Sequence, residues 1–223
     1  TLHNPTTITT PKDRREEIAE VAKRHDLIII EDDVFRYLAD DPPPTLYSLA
    51  PERTYHIQSL SKTMAPGLRV GFTALPSGSV ADVVRQQLIL GGRPVSLAVE
   101  LARRWIESGA AERILRAIRA ETKARRDIAL DVLARHEFSC GAGALYLWLA
   151  LPGRWRPAEF ANAAQATGIK MTPGTAFAMD HAAPNRVRLC LGPAASREGL
   201  RDGLQRLRGL LERGPVEEFQ TMA

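Results

Sequence analysis

Cysteine, aromatic residues and lysine are all scarce in this chain of 223 residues. Its two cysteines, Cys140 and Cys190, show no metal-ligand spacing and suggest no disulfide framework, which excludes a stapled mini-protein and fits a reducing cytoplasm. No apolar run approaches the roughly 20 residues that a membrane-spanning helix needs, and no signal peptide opens the chain. Internal repeats and low-complexity stretches are absent from the sequence. Charge of one sign is not gathered anywhere: 30 basic residues oppose 26 acidic ones, giving +4, so nucleic acid is not implied by charge alone. What is present, 44% hydrophobic and 25% charged residues, describes an ordinary globular chain. Such a chain buries roughly 70% of its unfolded surface and needs neither metal nor disulfide to hold a core.

Arginine carries most of the positive charge, so the lysines, Lys12, Lys23, Lys62, Lys123 and Lys170, stand out individually. The chain opens on Thr1 rather than methionine, and the motif His3-Asn4-Pro5-Thr6 falls almost at the amino end. A piece of a longer polypeptide is therefore expected.

Residues 11–25 place Ile18, Ala19, Val21 and Ala22 at helical spacing among charges, with Pro11 and Asp13 suited to a first turn. Leu27-Ile28-Ile29-Ile30 follows, a run that predicts a strand buried on both faces of a parallel sheet. It ends in Glu31-Asp32-Asp33, which puts carboxylates at the carboxyl edge of that sheet, where open α/β folds hold ligands. After the loop Asp41-Pro42-Pro43-Pro44, residues 54–57 and 70–75 predict two more strands, and residues 77–89 a helix. Gly91-Gly92-Arg93-Pro94 interrupts it, and a long charged helical region runs over residues 96–135. Beyond lie strand signals at 144–151 and 186–191 and helix signals at 157–166 and 196–213, the texture of a two-layer α+β unit.

Ser59-Leu60-Ser61-Lys62, with Arg69 seven residues beyond the lysine, is the strongest chemical signal. A lysine just after a buried strand can have its ammonium partly desolvated, which suits Schiff-base formation, and a nearby arginine can hold a phosphate in its planar fork. The bland alternative is a solvated loop lysine beside an arginine in a surface ion pair. Asp32 suits the carboxylate that keeps a pyridine nitrogen protonated in pyridoxal chemistry, although adjacent acids also serve as turn caps or half of a divalent-metal site. Asn4 offers a short amide donor, while Asn-Pro alone is more often a turn.

In order and spacing, His3-Asn4-Pro5-Thr6, Ile30-Glu31-Asp32-Asp33, Ser59-Leu60-Ser61-Lys62 and Pro66-Gly67-Leu68-Arg69-Val70-Gly71 together resemble the class I/II aminotransferases of pyridoxal-phosphate fold type I. The resemblance continues through Cys140-Gly141-Ala142-Gly143-Ala144-Leu145-Tyr146-Leu147-Trp148-Leu149, Thr172-Pro173-Gly174-Thr175-Ala176-Phe177 and Arg186-Val187-Arg188-Leu189-Cys190-Leu191. It implies an α/β fold: part of the large transferase domain, a mostly parallel sheet flanked by helices, plus a smaller carboxy-terminal α+β domain. The implied boundaries are 1–95 for the second half of the large domain, 96–135 for the linking helical region and 136–223 for the small domain. Pyridoxal 5'-phosphate is the implied cofactor. Lys62 is implied as the catalytic residue, forming the Schiff base and then shuttling a proton at the substrate's α-carbon. Asp32 would pair with the ring nitrogen, Asn4 with the phenolic oxygen, and Ser59, Arg69 and Ser61 with the phosphate. Arg188 resembles the arginine that grips the substrate's α-carboxylate. Arg186 is two residues away on the same strand, so alternation places both on one face and cannot choose between them.

Two departures qualify the resemblance. Phe35 stands where the family commonly has tyrosine, and Thr7 where it often has glycine. Both variants, with the string Glu31-Asp32-Asp33-Val34-Phe35, look most like the aminotransferase-like domains of MocR-type regulators in the GntR family. The implied activities are thus transamination of an amino acid or related amine, or effector sensing with little turnover, with a structural module lacking cofactor as a third reading. A homodimer in the cytoplasm is also implied, touching DNA only through an amino-terminal domain outside these residues, and no membrane. Without the family's first half, which supplies phosphate donors and the aromatic residue stacked on the ring, these residues alone are expected to bind the cofactor weakly or fold poorly.

Overall fold

A computed structural model describes residues 1–92, 94–179 and 184–214. Arg93 of the expected helix interruption and the end of the expected small domain, residues 215–223, lie outside the described residues. The chain divides into two compact units, Thr1–Leu2 with Thr9–Ala120, and His3–Ile8 with Glu121–Ala223. This division falls inside the helical region expected to link domains at 96–135, and it assigns the Asn4 segment to the carboxy-terminal unit.

In the first unit, helix α1 (Lys12–Arg24) carries Asp13 in its first turn and Lys23 and Arg24 in its last, an arrangement that suits the helix dipole. Ala19 and Ala22 are buried, and their small side chains form the inward face. Strand β1 (Ile29–Asp32) runs parallel to β2 (Thr54–Ser59), with Ile29 opposite Thr54 and Asp32 opposite Ile57. The connection includes the short helix α2 (Leu46–Leu49), and it is long enough for a parallel crossover. Only residues 60–70 join β2 to β3 (Gly71–Ala74), too few for a crossover, so β3 returns antiparallel. The sheet is therefore mixed, in the order β1-β2-β3, with one parallel and one antiparallel pair.

Strand β1 starts two residues later than its hydrophobic run predicts, and it alternates between buried and exposed positions instead of being buried on both faces. Ile29, Glu31, His56, Gln58, Phe72 and Ala74 share one face, whereas Ile30, Asp32, Ile57 and Ser59 share the other. On that second face Ile30 is 73% exposed. Helices α3 (Val80–Ile89), α4 (Ser96–Glu107) and α5 (Ala110–Val132) follow. The expected single helical region is broken at Ser108 and Gly109, where glycine adopts φ +71° and a residue with a β-carbon would be strained.

In the second unit, the latter part of α5 is followed by an antiparallel sheet in the order β4-β5-β7-β6. Its strands are β4 (Phe138–Ser139), β5 (Tyr146–Ala150), β6 (Thr172–Pro173) and β7 (Arg186–Cys190). Helices α6 (Pro157–Ala166) and α7 (Arg197–Arg213) belong to the same unit. Ser196 caps α7 by accepting the Gly199 N–H at 3.0 Å. Leu200, Leu204, Leu207 and Leu211 then bury one stripe of that helix, in a core that also holds Leu147, Leu149, Phe160 and Val187. No helix among the described residues is long and apolar enough to cross a membrane.

Candidate active site

The parallel pair β1 and β2 brings the acids and the Ser-Leu-Ser-Lys segment to one carboxyl edge. Asp32 ends β1, opposite Ile57, and Ser59 lies two residues farther along β2 on the same face. Asp32 is exposed, and its Oδ1 accepts the Val34 N–H at 3.4 Å, with no cation paired to it among the described residues. Ser59 Oγ accepts the Ser61 N–H at 3.1 Å and donates to the Val70 carbonyl at 3.4 Å, which closes the turn. Thr63, buried in that turn, is within reach of the Ser59 carbonyl through its hydroxyl.

Lys62 sits on the outside of the turn. Its side chain is exposed, so the described residues do not bury it as a lysine just after a buried strand is expected to be. Its Nζ lies 6.0 Å from the centroid of the Phe35 ring, the outer limit of a cation–π contact, and no carboxylate pairs with it among the described residues. Arg69 follows a 3-10 turn at Pro66–Leu68 and adopts φ +53°. A left-handed arginine costs about 1–2 kcal/mol, and here it turns the chain into β3 and leaves an exposed guanidinium without an acidic partner among the described residues.

Glu31, next to Asp32 but on the opposite face, has a different task. Its carboxylate accepts from Arg15 Nη1 at 2.9 Å, from the Leu46 and Tyr47 N–H groups at 2.9 and 3.1 Å, and from His56 Nδ1 at 2.9 Å. Burial acts to raise this carboxyl, but the His56 and backbone hydrogen bonds outweigh it and hold the group below its ordinary range. Potential ligand atoms of Glu31, Asp33 and His56 lie within 4.8 Å of one another. Glu31 already spends its lone pairs on four donors, so the cluster reads as a structural ion network rather than a metal centre. The acid triplet gave no signal for this role; fixing where β1 begins supplies it.

The other expected residues belong to the second unit. Arg188, on β7 opposite Trp148, donates from Nη1 to Asn4 Oδ1 at 2.9 Å and from Nη2 to Thr172 Oγ1 at 3.2 Å. Its guanidinium carbon lies 5.0 Å from the Phe177 ring centroid and 5.6 Å from that of Tyr146. Trp148 meets Phe177 edge-on at 5.7 Å. The Nε atom of Arg188 is buried without a partner among the described residues. Arg186 faces elsewhere in chemical terms, since its guanidinium is paired with Glu137. Tyr146, Thr172 and Phe177 carry no signal of this role in the sequence; the antiparallel pairing of β7 with β5 and β6 gathers them.

Asn4 is held by a tight loop. Thr7 N–H donates to the His3 carbonyl at 2.6 Å, and the Ser139 hydroxyl donates to the Thr6 carbonyl at 2.7 Å. Thr7 itself is left-handed, φ +62°, which explains why glycine suits this position. Its hydroxyl accepts the Gly141 N–H at 3.0 Å, a bond that glycine could not make and that offsets part of the strain.

The sequence profile of the family described as "Aminotransferase class I and II" matches residues 1–207. Among curated proteins, the chain is 32% identical over 211 residues to an uncharacterized HTH-type transcriptional regulator, YdeF, of Bacillus subtilis, covering 94% of this chain and 46% of that protein. It is 31% identical over 196 residues to the mitochondrial kynurenine/alpha-aminoadipate aminotransferase of Rattus norvegicus, covering 82% of this chain and 46% of that protein. Among solved structures, LysN, the alpha-aminoadipate aminotransferase of Thermus thermophilus complexed with N-(5'-phosphopyridoxyl)-L-leucine, superposes with a TM-score of 0.82 at 25% identity. That match covers 95% of this chain and 57% of the other. The chain thus spans about half the length of the relatives it matches.

Proposed function

Because the chain belongs to the class I and II aminotransferase family, we propose that it is part of a pyridoxal 5'-phosphate-dependent, aminotransferase-like protein acting on an amino acid or related amine. The observation that carries this reading is a set of unpaired charges at one sheet edge: Asp32 without a cation, and Lys62 and Arg69 without an anion, around the Ser59 turn. A phosphorylated, nitrogen-protonated pyridine aldehyde complements each of these groups. When bound, it supplies an electrophilic carbonyl and an electron sink.

The remaining chemistry falls to this chain's own residues. Lys62 would hold the group through its amine and, when freed from it, would carry a proton to or from the substrate's α-carbon. Asp32 keeps the ring nitrogen protonated, and Ser59, Ser61 and Arg69 hold the phosphate through hydroxyl and guanidinium donors. Asn4, whose oxygen is taken by Arg188, has its amide N–H groups left to donate to the phenolic oxygen. Arg188, whose guanidinium carbon lies near the Phe177 and Tyr146 rings, takes the substrate carboxylate, and its Nε–H, without a partner among the described residues, is the donor left for it. Arg186 is spent on Glu137.

The likeness to YdeF favours a second reading of the same site, the effector domain of a MocR-type GntR-family regulator with little or no turnover. Phe35 beside Lys62 is consistent with that reading. Under either reading the protein is proposed to act as a cytoplasmic homodimer, and under the second, DNA contact belongs to a separate amino-terminal domain.

One experiment tests both. The intact protein is incubated with pyridoxal phosphate, reduced with borohydride, digested and mapped by mass spectrometry, alongside Lys62→Ala. A cofactor adduct on Lys62 that the variant lacks is expected. Keto-acid release with an amino donor then marks the transaminase, and spectral change without release marks the sensor. A folded protein that takes up no cofactor at Lys62 overturns both.

A further inference from the structure

The face of the first sheet opposite Asp32 borders an apolar cleft of about 480 Å³, inside the usual size range of small-molecule sites. Tyr37, Leu60, Met64, Phe72, Ile106 and Leu115 supply most of its apolar wall. The acid at its rim, Glu112, is already paired with Arg116, so the cleft offers no free charge to an ion. All of these residues lie within the first unit.

Beneath this apolar wall the polar groups are fixed in a chain. Glu31 is ionised and can only accept, so His56 Nδ1 donates to it. In the tautomer that carries its proton on Nδ1, the His56 Nε2 atom is an acceptor, and Gln58 Nε2 donates to it at 3.3 Å. The second N–H of the same amide donates to the Asp33 carbonyl at 2.8 Å. Both Gln58 donors are thereby used, and the amide cannot turn over without setting its oxygen against the Asp33 carbonyl. Its Oε1 is left with no partner among the described residues, on a side chain 7% exposed that lines the cleft. A buried carbonyl oxygen without a donor is unfavourable, and a ligand that brings a donor to it relieves that penalty.

We propose that this cleft is a second small-molecule site, adjoining the Lys62 edge only at Ser59, and that it takes a neutral aromatic compound carrying a single N–H or O–H donor, which is received by Gln58 Oε1. Neutrality follows from the absence of free charge in the wall, and the single donor follows from the single orphaned acceptor. Its strand residues His56, Gln58, Phe72 and Ala74 lie on the sheet face away from Asp32, and Ser59 at its border is the one lining residue that also belongs to the proposed phosphate set.

Indole and 1-methylindole are matched probes, the second lacking only the donor. Titration of the intact, cofactor-free protein by calorimetry is expected to show one indole site per chain and about tenfold weaker binding of 1-methylindole. Gln58→Met should remove the difference between the probes. Ile106→Trp, which fills the cleft from its exposed rim, should abolish binding of both and keeps the test decisive if the Gln58 variant does not fold. Equal affinity for the two probes, binding that survives Ile106→Trp, or no binding up to the solubility limit of indole overturns the proposal. Repetition in Lys62→Ala, where binding should be unchanged, keeps this result separate from the fate of the cofactor reading.

Discussion

Folding lowers the Glu31 carboxyl below its ordinary value of 4.5, because donors from His56, Leu46 and Tyr47 outweigh the cost of its burial. A lowered carboxyl contributes stability that is complete above the ordinary value and is lost as pH falls through the lowered one. The urea midpoint should therefore drop between pH 7 and pH 3 more steeply in the natural protein than in Glu31→Gln. At pH 7 that variant should cost about 3–5 kcal/mol, since it leaves the Arg15 guanidinium, itself 3% exposed, without its anion. At the proposed substrate end, Arg188→Lys keeps the charge but loses the fork, and should raise the dissociation constant of a carboxylate substrate analogue by about tenfold or more. Arg186→Lys, whose partner is the exposed Glu137, should change it little. A reversed ranking of these two variants would reassign the carboxylate.

Among the elements, two tight backbone positions invite substitution. A β-carbon on Gly174, where a 3-10 turn leaves β6, would stand 2.5 Å from the Pro184 carbonyl and 2.7 Å from that of Arg186. Gly174→Ala should cost about 1–3 kcal/mol in a denaturant melt, because neither neighbour is a flexible side chain. Thr7→Val retains the left-handed strain and orphans the Gly141 N–H, and should likewise lose about 1–3 kcal/mol, whereas Thr7→Gly should lose less. Much at this scale was legible beforehand. Helix α6 follows from its pattern residue for residue, and α7 from Ser196 and its leucine spacing. Strands β4 and β6, two residues each, are too short to carry a period, and they exist because β5 and β7 offer them partners. The run Leu27-Ile28-Ile29-Ile30 misled in one respect, since an apolar run reads as buried on both sides whether or not both sides are covered. The Asp32, Ser59 and Arg69 set could be named from motif order, but the Gln58 network could not, because its partners come from strands whose register no local pattern reveals.

At the scale of the whole molecule, one helix, α5, contributes residues to both compact units, and neither unit is a contiguous stretch of chain because His3–Ile8 belongs to the second. The segment His3–Ile8 likewise belongs with residues more than a hundred positions away, as the Ser139 to Thr6 and Gly141 to Thr7 bonds record. Cutting the gene at residue 95, the expected end of the first domain, would remove α4 and the start of α5 from the first unit. A polypeptide of residues 1–95 should therefore show no cooperative thermal transition by circular dichroism.

Among the described residues, strand β1 borders its sheet, with Ile28 69% and Ile30 73% exposed beside it. A bare strand margin next to uncovered isoleucine is a template for adding another strand, and chains that meet there would stack rather than stay dispersed. These 223 residues expressed alone should therefore scatter light increasingly with concentration, and Ile30→Lys should restore clear solutions without a change in secondary structure.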